Sequence, residues 1–559
     1  MRRDQVTQCA VVFLSLCVAA ARSFGEEAAQ AIAVIPRPMK MEQRDGSFVV
    51  TATTRILVER NSTDVAAVGK YLANMLDRAT GYPISMSDSD EVNAVKGAIL
   101  LTRRGAKPDL SNEGYELTIV PDSIVVRAPK TAGLFYGVQT LRQLLPPAIE
   151  RPSSATQKVA WTVPCAQIED RPRFEWRGLL VDSARHFFPK ESLKRFIDLM
   201  ALYKFNTLQI HFTDDQSWTL QIDACPKLTE VGARGGPFAI NGTWLGVGKG
   251  IGSGRCHTKD DVREIVQYAA DRQITLVPEI EMPAHAASWL AAYPELLCTS
   301  SSKFPAPEVG THGDDTKRVV WSAYRELCLG NEATYQMAEK ILAELSEMFP
   351  GPYIHIGGDE ASKFGWKHCD LCQAKMKAEG LKDERELQSY FIKRVGKFIE
   401  SRGRMFVGWD EIMEGGLAPN AIVMSWRGVA PGQAAVKAGH TVVFSPTSHC
   451  YFDYTYENIP TEKVYSFEPL ETLGPEEAKH VKGVQGNLWS EWIPDLNRLE
   501  YMGFPRACAL AEVAWSAGEG RNWQDFRGRL KVHFARLDAL NVNYCRETVP
   551  NADRKAPKQ

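Results

Sequence analysis

The sequence predicts an α/β protein, a (β/α)8 barrel preceded by a small α/β domain. Two observations point to the barrel. Eight short apolar runs alternate with helix-like stretches over about 350 residues. Nearly every run also ends in a polar or aromatic residue, and barrel enzymes build their sites at the C-terminal ends of the strands. A third observation points to the small domain. Before residue 150 the pattern differs, with a hairpin, then a helix, then a stretch rich in Pro and Ser.

Taken in order, the chain starts "MRRDQVTQCAVVFLSLCVAAARSFGEE". A basic start, an apolar run of about 15 residues and small residues after it fit a secretory signal over 1–25, so the protein is expected to be exported. The large Leu16 before Cys17 argues against a lipid anchor there, and no other run reaches the ~20 apolar residues of a membrane span. The small α/β domain is expected over 26–158. Within it, "EGYELTIVPDSIVVRAP" alternates Tyr115, Leu117 and Ile119, turns at Pro121-Asp122-Ser123, and alternates again at Ile124 and Val126. "TAGLFYGVQTLRQLLP" then carries apolar residues at helical spacing up to a Pro stop. "ERPSSATQKVA" reads as the linker.

The barrel is expected over 159–546, followed by a polar tail at 547–559. Its strands are "WRGLLVDSA", "TLQIHFTD", "ITLVPEIEM", "YIHIGG", "MFVGW", "AIVMSW", "TVVFSP" and "GVQGNLW". Stretches such as "ESLKRFIDLMALYK" and "ELQSYFIKRVGKFIESRG" supply helices between them. A doubly wound open sheet is the competing architecture.

With 44% apolar residues, 24% charged residues and a formal net charge of -2, the chain resembles an ordinary globular protein. That balance gives no electrostatic reason to expect nucleic acid or an anionic membrane as partner. A homodimer is compatible with the sequence. Of 12 cysteines, Cys9 and Cys17 would leave with the signal. Cys298 and Cys328 bracket a Ser/Pro/Gly/Asp-rich segment and are candidates for a disulfide in an exported protein. Cys369 and Cys372 have C-x-x-C spacing, but no second such pair exists, so a local role or short-range disulfide is preferred to a metal.

The chemistry gathers at the strand ends: Arg177 and Asp182; His211, Asp214 and Asp215; Glu279, Glu281 and His285; His355, Asp359 and Glu360; Trp409 and Asp410; Trp426 and Arg427; Tyr451 and Asp453; Trp489 and Glu491. Taken singly, each has a bland structural reading as a loop cap or core residue. Acids and tryptophans on one rim suit carbohydrate hydrolysis, which needs a proton donor and a stabiliser for an oxocarbenium-like state. Asp359 and Glu360 are adjacent in "YIHIGGDEASKFGW". Neighbours at one strand end cannot easily flank a glycosidic bond from opposite sides. They can serve one site if Gly357 and Gly358 turn the chain. Glu360 would then donate the proton, and Asp359 would orient a substrate group such as a 2-acetamido carbonyl, which can itself attack the anomeric carbon. Period-two alternation from His355 through Gly357 would point Asp359 inward.

In order along the chain, "RGLLVDSARHFFP", "HFTDDQSW", "PEIEMPAH", "HIGGDE", "GWDEI", "MSWRG" and "GNLWSEW" resemble the motif set of the family 20 glycoside hydrolases, the β-N-acetylhexosaminidases. The resemblance covers about residues 170–515, and the 30–150 module is similar to the small domain preceding the barrel in that family. It implies Glu360 as acid/base and Asp359 as the residue that positions the acetamido nitrogen and stabilises an oxazolinium intermediate. Tyr451 would hold the acetamido oxygen, and Asp214 and His285 would form a relay to Glu360. Arg177, Asp453 and Glu491 would bind sugar hydroxyls, with Trp409, Trp426 and Trp489 walling the acetamido pocket and the sugar face. No cofactor and no metal is implied, and exo-action on terminal N-acetylhexosamines is. "PEIEMPAH" departs from the family at Glu281 and Ala284, where Asp and Gly are frequent, which leaves the role of Glu281 open. The alternatives are release of a disaccharide in the manner of a lacto-N-biosidase, and a metal-dependent barrel hydrolase using His211, Asp214, His285, His355 and Asp359. No H-E-x-x-H motif supports the second. A non-catalytic sugar-binding protein on the same fold is a further rival.

Overall fold

The computed structural model describes residues 32–153, 159–234, 254–298 and 325–546. The expected signal segment and the polar tail lie outside the described residues.

Seven strands form the first sheet: β1 (Lys40–Val49), β2 (Arg55–Glu59), β3 (Ser85–Ser89), β4 (Ala98–Thr102), β5 (Tyr115–Val120), β6 (Ser123–Arg127) and β7 (Thr162–Asp170). Their order is β1-β7-β5-β6-β4-β2-β3. The hairpin read from the sequence is β5–β6, in register from Glu116–Arg127 to Val120–Ser123. Its alternation is physical: Tyr115, Leu117 and Ile119 are fully buried and the residues between them are half-buried. Helices Thr63–Thr80 and Thr131–Leu144 cover the face carrying these side chains. Strand β7 corrects the expected boundary at 158/159. It pairs with both β1 and β5, so the first sheet runs to Asp170 and the barrel starts after it. The Pro/Ser composition marked a connection inside the first domain, not its end.

All eight expected barrel runs are strands: β8 (Trp176–Asp182), β9 (Thr207–His211), β10 (Thr275–Glu279), β11 (Tyr353–His355), β12 (Met405–Trp409), β13 (Ile422–Ser425), β14 (Val442–Phe444) and β15 (Val481–Leu488). They are parallel, and β15 closes on β8. The open-sheet alternative is excluded by that closure.

Apolar side chains including Trp176, Leu180, Val277, Val407 and Met424 fill the interior, and a polar ladder climbs through it. Trp176 donates to Gln485 (3.1 Å), Gln485 to Gln209 (2.8 Å) and Gln209 to Glu279 (2.8 Å). Each buried polar group thereby finds a partner, and the ladder delivers a carboxylate to the base of the C-terminal mouth. Among the described residues, no helix is long and apolar enough to cross a membrane.

Candidate active site

The site is built on Glu279 at the end of β10. Its carboxylate lies 2.8 Å from His211 Nδ1 and 3.1 Å from His355 Nδ1, and accepts from Trp409 Nε1 at 2.8 Å. Burial opposes its charge, but the two histidines outweigh burial and hold Glu279 well below the usual carboxylate range. His211 answers in kind: burial works against its proton, Glu279 and Asp214 favour it, and its pKa rises to about 10.

Above this hub lies the relay. Asp214 is 3.1 Å from His211 Nε2, 3.2 Å from His285 Nδ1 and 2.6 Å from Arg185 Nη2. Arg325 Nη2 also stands 2.7 Å from His285 Nδ1, and its Nε pairs with Asp215. Burial and Arg325 oppose a charge on His285, yet Asp214 and Asp215 prevail and its pKa is raised well above the ordinary value. The far nitrogen, His285 Nε2, faces both acids: Asp359 Oδ2 at 3.6 Å and Glu360 Oε2 at 3.3 Å.

How two chain neighbours reach one imidazole is answered by the backbone. Strand β11 ends at His355, so strand alternation does not carry Asp359 inward as expected from the sequence. The turn does. Gly357 and Gly358 sit at φ of 66° and 96°, and Glu360 itself is held at φ 48°. The left-handed region costs a side-chain-bearing residue of order 1 kcal/mol or more and is tolerated where surrounding contacts impose it. A Cβ on Gly357 would stand 1.8 Å from a Glu281 oxygen, so this glycine is also required for space.

The acids differ in state. Asp359 is 13% exposed, and its partial burial first, then Glu360 and Glu279, raise its pKa against the pull of His285. Glu281, fully buried beside it, is raised well above the usual carboxylate range by burial and by Asp359. Glu360 is 54% exposed, and its hydrogen bond with His285 lowers its pKa to about 2. Glu360 therefore faces His285 as a carboxylate.

These groups line a cleft of about 430 Å³ at the C-terminal mouth. Its aromatic wall comes from four strand ends. Trp409 and Trp489 lie 5.7 Å apart, Trp426 and Tyr451 stack at 6.1 Å, and Tyr451 stands 6.5 Å from Trp489. Trp426 Nε1 donates to Glu411 (2.9 Å), which burial and Asp359 push up to about 8. Opposite, Asp453 is pushed up to about 8 by burial and Glu491, and Glu491 is itself raised by burial although Arg185 lies 3.7 Å away. Among the described residues, Asp359 Oδ1 and Asp453 Oδ1 are buried without a hydrogen-bond partner, the signature of atoms that await a ligand's donors.

The family model described as "Glycosyl hydrolase family 20, catalytic domain" matches residues 174–518, and "Glycosyl hydrolase family 20, domain 2" matches residues 31–171. The chain belongs to glycosyl hydrolase family 20. A beta-hexosaminidase of Porphyromonas gingivalis is 38% identical over 551 residues, which cover 96% of this chain and 67% of that protein. A beta-N-acetylhexosaminidase of Cellulomonas fimi is 32% identical over 92% of this chain and 96% of its own length. Among solved structures, the GH20 beta-N-acetylhexosaminidase of Streptomyces coelicolor A3(2) aligns with a TM-score of 0.76 at 33% identity, covering 93% of this chain and 98% of the other. The GH20 exo beta-N-acetylglucosaminidase of Vibrio harveyi, solved with N-acetylglucosamine, aligns with a TM-score of 0.79 at 28% identity, covering 94% and 80%.

In this family 20 hydrolase, ten of the eleven residues expected at the site line the one cleft: Asp214, His285, Asp359, Glu360, Trp409, Trp426, Tyr451, Asp453, Trp489 and Glu491. Arg177 does not. It is the second residue of β8, at the opposite end of the barrel, where it donates to both oxygens of Glu113 (2.7 and 2.9 Å) and to Tyr136 (3.1 Å). The arginine at the cleft is Arg185, three residues beyond the end of β8. The chemistry lies at the C-terminal ends of barrel strands, and that rule alone could have selected Arg185 over Arg177.

Sequence reasoning also missed Arg325, Tyr454, the exposed Trp492 and the contribution of Glu411. Trp492 sits three residues after Trp489 in "GNLWSEW", so the motif itself carried that signal. The expected Cys298–Cys328 disulfide is absent: both are free thiols, gathered with Cys369 and Cys372.

Proposed function

We propose that this family 20 hydrolase removes terminal, non-reducing β-linked N-acetylglucosamine or N-acetylgalactosamine from glycans with retention, using the substrate's own acetamido group as nucleophile. The observation that carries the reading is that Asp359 and Glu360 both address His285 Nε2. Carboxylates so placed share one side of the bond, whereas a two-carboxylate mechanism needs them on opposite faces.

The geometry supports the following course. The acetamido oxygen attacks the anomeric carbon while the C1–O bond to the leaving group breaks. Glu360 hands a proton to the departing oxygen. That proton resides at rest on His285, which Asp214 holds charged, and a leaving group seated over the half-exposed Glu360 strips its water and favours transfer onto it. Asp359 accepts the acetamido N–H and stands beside the cationic oxazolinium ring as an anion, its other oxygen 3.6 Å from His285 Nε2. Water then attacks C1 and loses its proton to Glu360, which regenerates the sugar with its configuration kept.

Trp409, Trp426, Tyr451 and Trp489 line the cleft as an aromatic wall for the flat acetamido group, whose oxygen Tyr451 would hold. Asp453, Glu491 and Arg185 supply partners for sugar hydroxyls. The metal-dependent alternative loses support because Arg185 already places a positive charge 2.6 Å from Asp214. The basic, apolar and small-residue order of residues 1–25 supports export.

The test compares p-nitrophenyl N-acetyl-β-glucosaminide with the corresponding β-glucoside. Removing the internal nucleophile is expected to lower kcat/KM by about 10³-fold or more, since well-oriented intramolecular attack supplies several kcal/mol. Comparable rates would sink the mechanism.

A further inference from the structure

A second cluster of reactive side chains lies behind the catalytic loops. Cys298, Cys328, Cys369 and Cys372 are all buried, and their sulfurs lie within 4.8 Å of one another. Individual separations are 3.6 Å (Cys328–Cys369), 3.7 Å (Cys328–Cys372) and 3.9 Å (Cys298–Cys372). A disulfide would bring two of them to about 2.05 Å and push the pairs apart from each other. Four sulfurs at about 2.3 Å from a central tetrahedral ion stand about 3.8 Å from one another, close to those three separations.

We propose that these four cysteines bind one zinc ion as thiolates, in a closed structural site. Binding follows from four thiols and Zn²⁺ giving a tetrathiolate complex, with up to four protons released to solvent. All four donors are sulfur and no coordination position is left for water or substrate, so the site is structural and takes no part in the hydrolysis.

The surrounding backbone is shaped as a ligand cradle. Cys369 caps the N-terminus of helix Asp370–Glu379 and Cys372 lies in its first turn, where unpaired N–H groups favour negative sulfur. Gly330 N donates to Cys372 Sγ at 3.2 Å, the kind of outer hydrogen bond that fixes a thiolate ligand. A Cβ on Gly330 would stand 2.2 Å from the Leu371 carbonyl carbon, so a glycine is needed for Cys328 to come this close to the Cys369–Cys372 turn.

The ligands come in pairs from two successive barrel loops. Cys298 and Cys328 belong to the connection after β10, which also carries His285 and Arg325. Cys369 and Cys372 belong to the connection after β11, which carries Asp359 and Glu360. Between cluster and cleft, Glu326 accepts from Ser362 N and from Lys363 N (2.9 Å), and Trp366 Nε1 donates to the Leu327 carbonyl (2.9 Å). The ion thus clamps the loop bearing the relay histidine to the loop bearing the acid pair. Sequence spacing concealed the site because only one half is a C-x-x-C, while the other two ligands are thirty residues apart.

The test uses the full enzyme, purified without a histidine tag or chelator from zinc-supplemented cells. Elemental mass spectrometry is expected to find about one zinc per chain, and Cys369→Ser or Cys372→Ser to lower it at least about tenfold. In the parent enzyme, which does not depend on a variant folding, a mercurial thiol reagent should release the zinc in step with four thiols. Stripping the metal should lower the melting temperature by about 5 °C or more, reversed by added zinc alone. Alkylation in denaturant with chelator and no reductant should label all four cysteines. Metal-free enzyme, iron in place of zinc, or a disulfide between any two of the four in freshly purified protein would each overturn the proposal.

Discussion

The two ends of the barrel bury charge in opposite ways. At the N-terminal end, against the first domain, buried charges sit in matched pairs. Arg177 forks onto Glu113, Lys204 lies 3.0 Å from Asp170, which also accepts from Tyr115 (2.7 Å) and Trp515 (2.9 Å), and Glu150 is shared by Arg142 and Arg536. The C-terminal mouth instead crowds acids upon acids. Glu281, Asp359, Glu411, Asp453 and Glu491 all have raised pKa values, with burial as the leading cause in each.

Cavity size does not separate the two ends. A larger cleft, about 580 Å³, lies at the N-terminal end beside Glu113, Trp176 and Lys482, away from any adjacent acid pair. What separates them is unmet electrostatic demand. Paired charges hold two domains together, while acids that outnumber their cationic partners leave room for a ligand to supply donors or a developing cation.

The comparison breaks most visibly at Glu360. Glu360→Gln should lower kcat on an N-acetyl-β-glucosaminide by about 10²–10⁴-fold, the range for losing a general acid, with almost no change in melting temperature. A variant that unfolds early while keeping its turnover would reverse the assignment. Arg177→Met should do the converse. It strands Glu113 in the seam and should cost about 3 kcal/mol, the low end for a broken buried pair since Glu113 is one-fifth exposed. The urea midpoint should fall, while kcat of the folded fraction stays within about twofold of the parent. A selective loss of kcat would place Arg177 back in the site.

The smallest effect concerns the hub beneath the mouth. The folded pKa of His211, about 10, stands above its unfolded value near 6.5, so its charge stabilises the fold fully below about pH 6.5 and is lost as pH rises through about 10. Between pH 7 and 10 the melting temperature of the parent should fall more steeply than that of His211→Asn, which starts lower. Parallel curves would mean that His211 is neutral in the folded protein.

Most of the architecture was legible because it rests on short-range pattern. The eight barrel runs and the β5–β6 hairpin follow from apolar periodicity and turn residues, and Asp359 with Glu360 was legible because two acids after two glycines have few structural uses. Three features were not, each for a physical reason. Strand β7 was assigned to the barrel because sheet membership is a pairing over a hundred residues, invisible to local composition. Arg177 and Arg185 are separated by eight residues of sequence and by the length of the barrel in space, and only strand polarity tells them apart. The protonation state of Glu360 depends on His285, 75 residues away, which no single stretch of sequence reveals.

The central claim is that the nucleophile belongs to the substrate. Its most direct measurement is kcat/KM for p-nitrophenyl glucosaminides whose N-acyl group carries zero to three fluorines, which weaken the carbonyl oxygen while barely changing its size. The account predicts a steep fall along the series, by about tenfold or more overall, equivalent to at least ~1.4 kcal/mol in the barrier. A flat series, or a sugar ester captured on Asp359 or Glu360 during turnover, would contradict it.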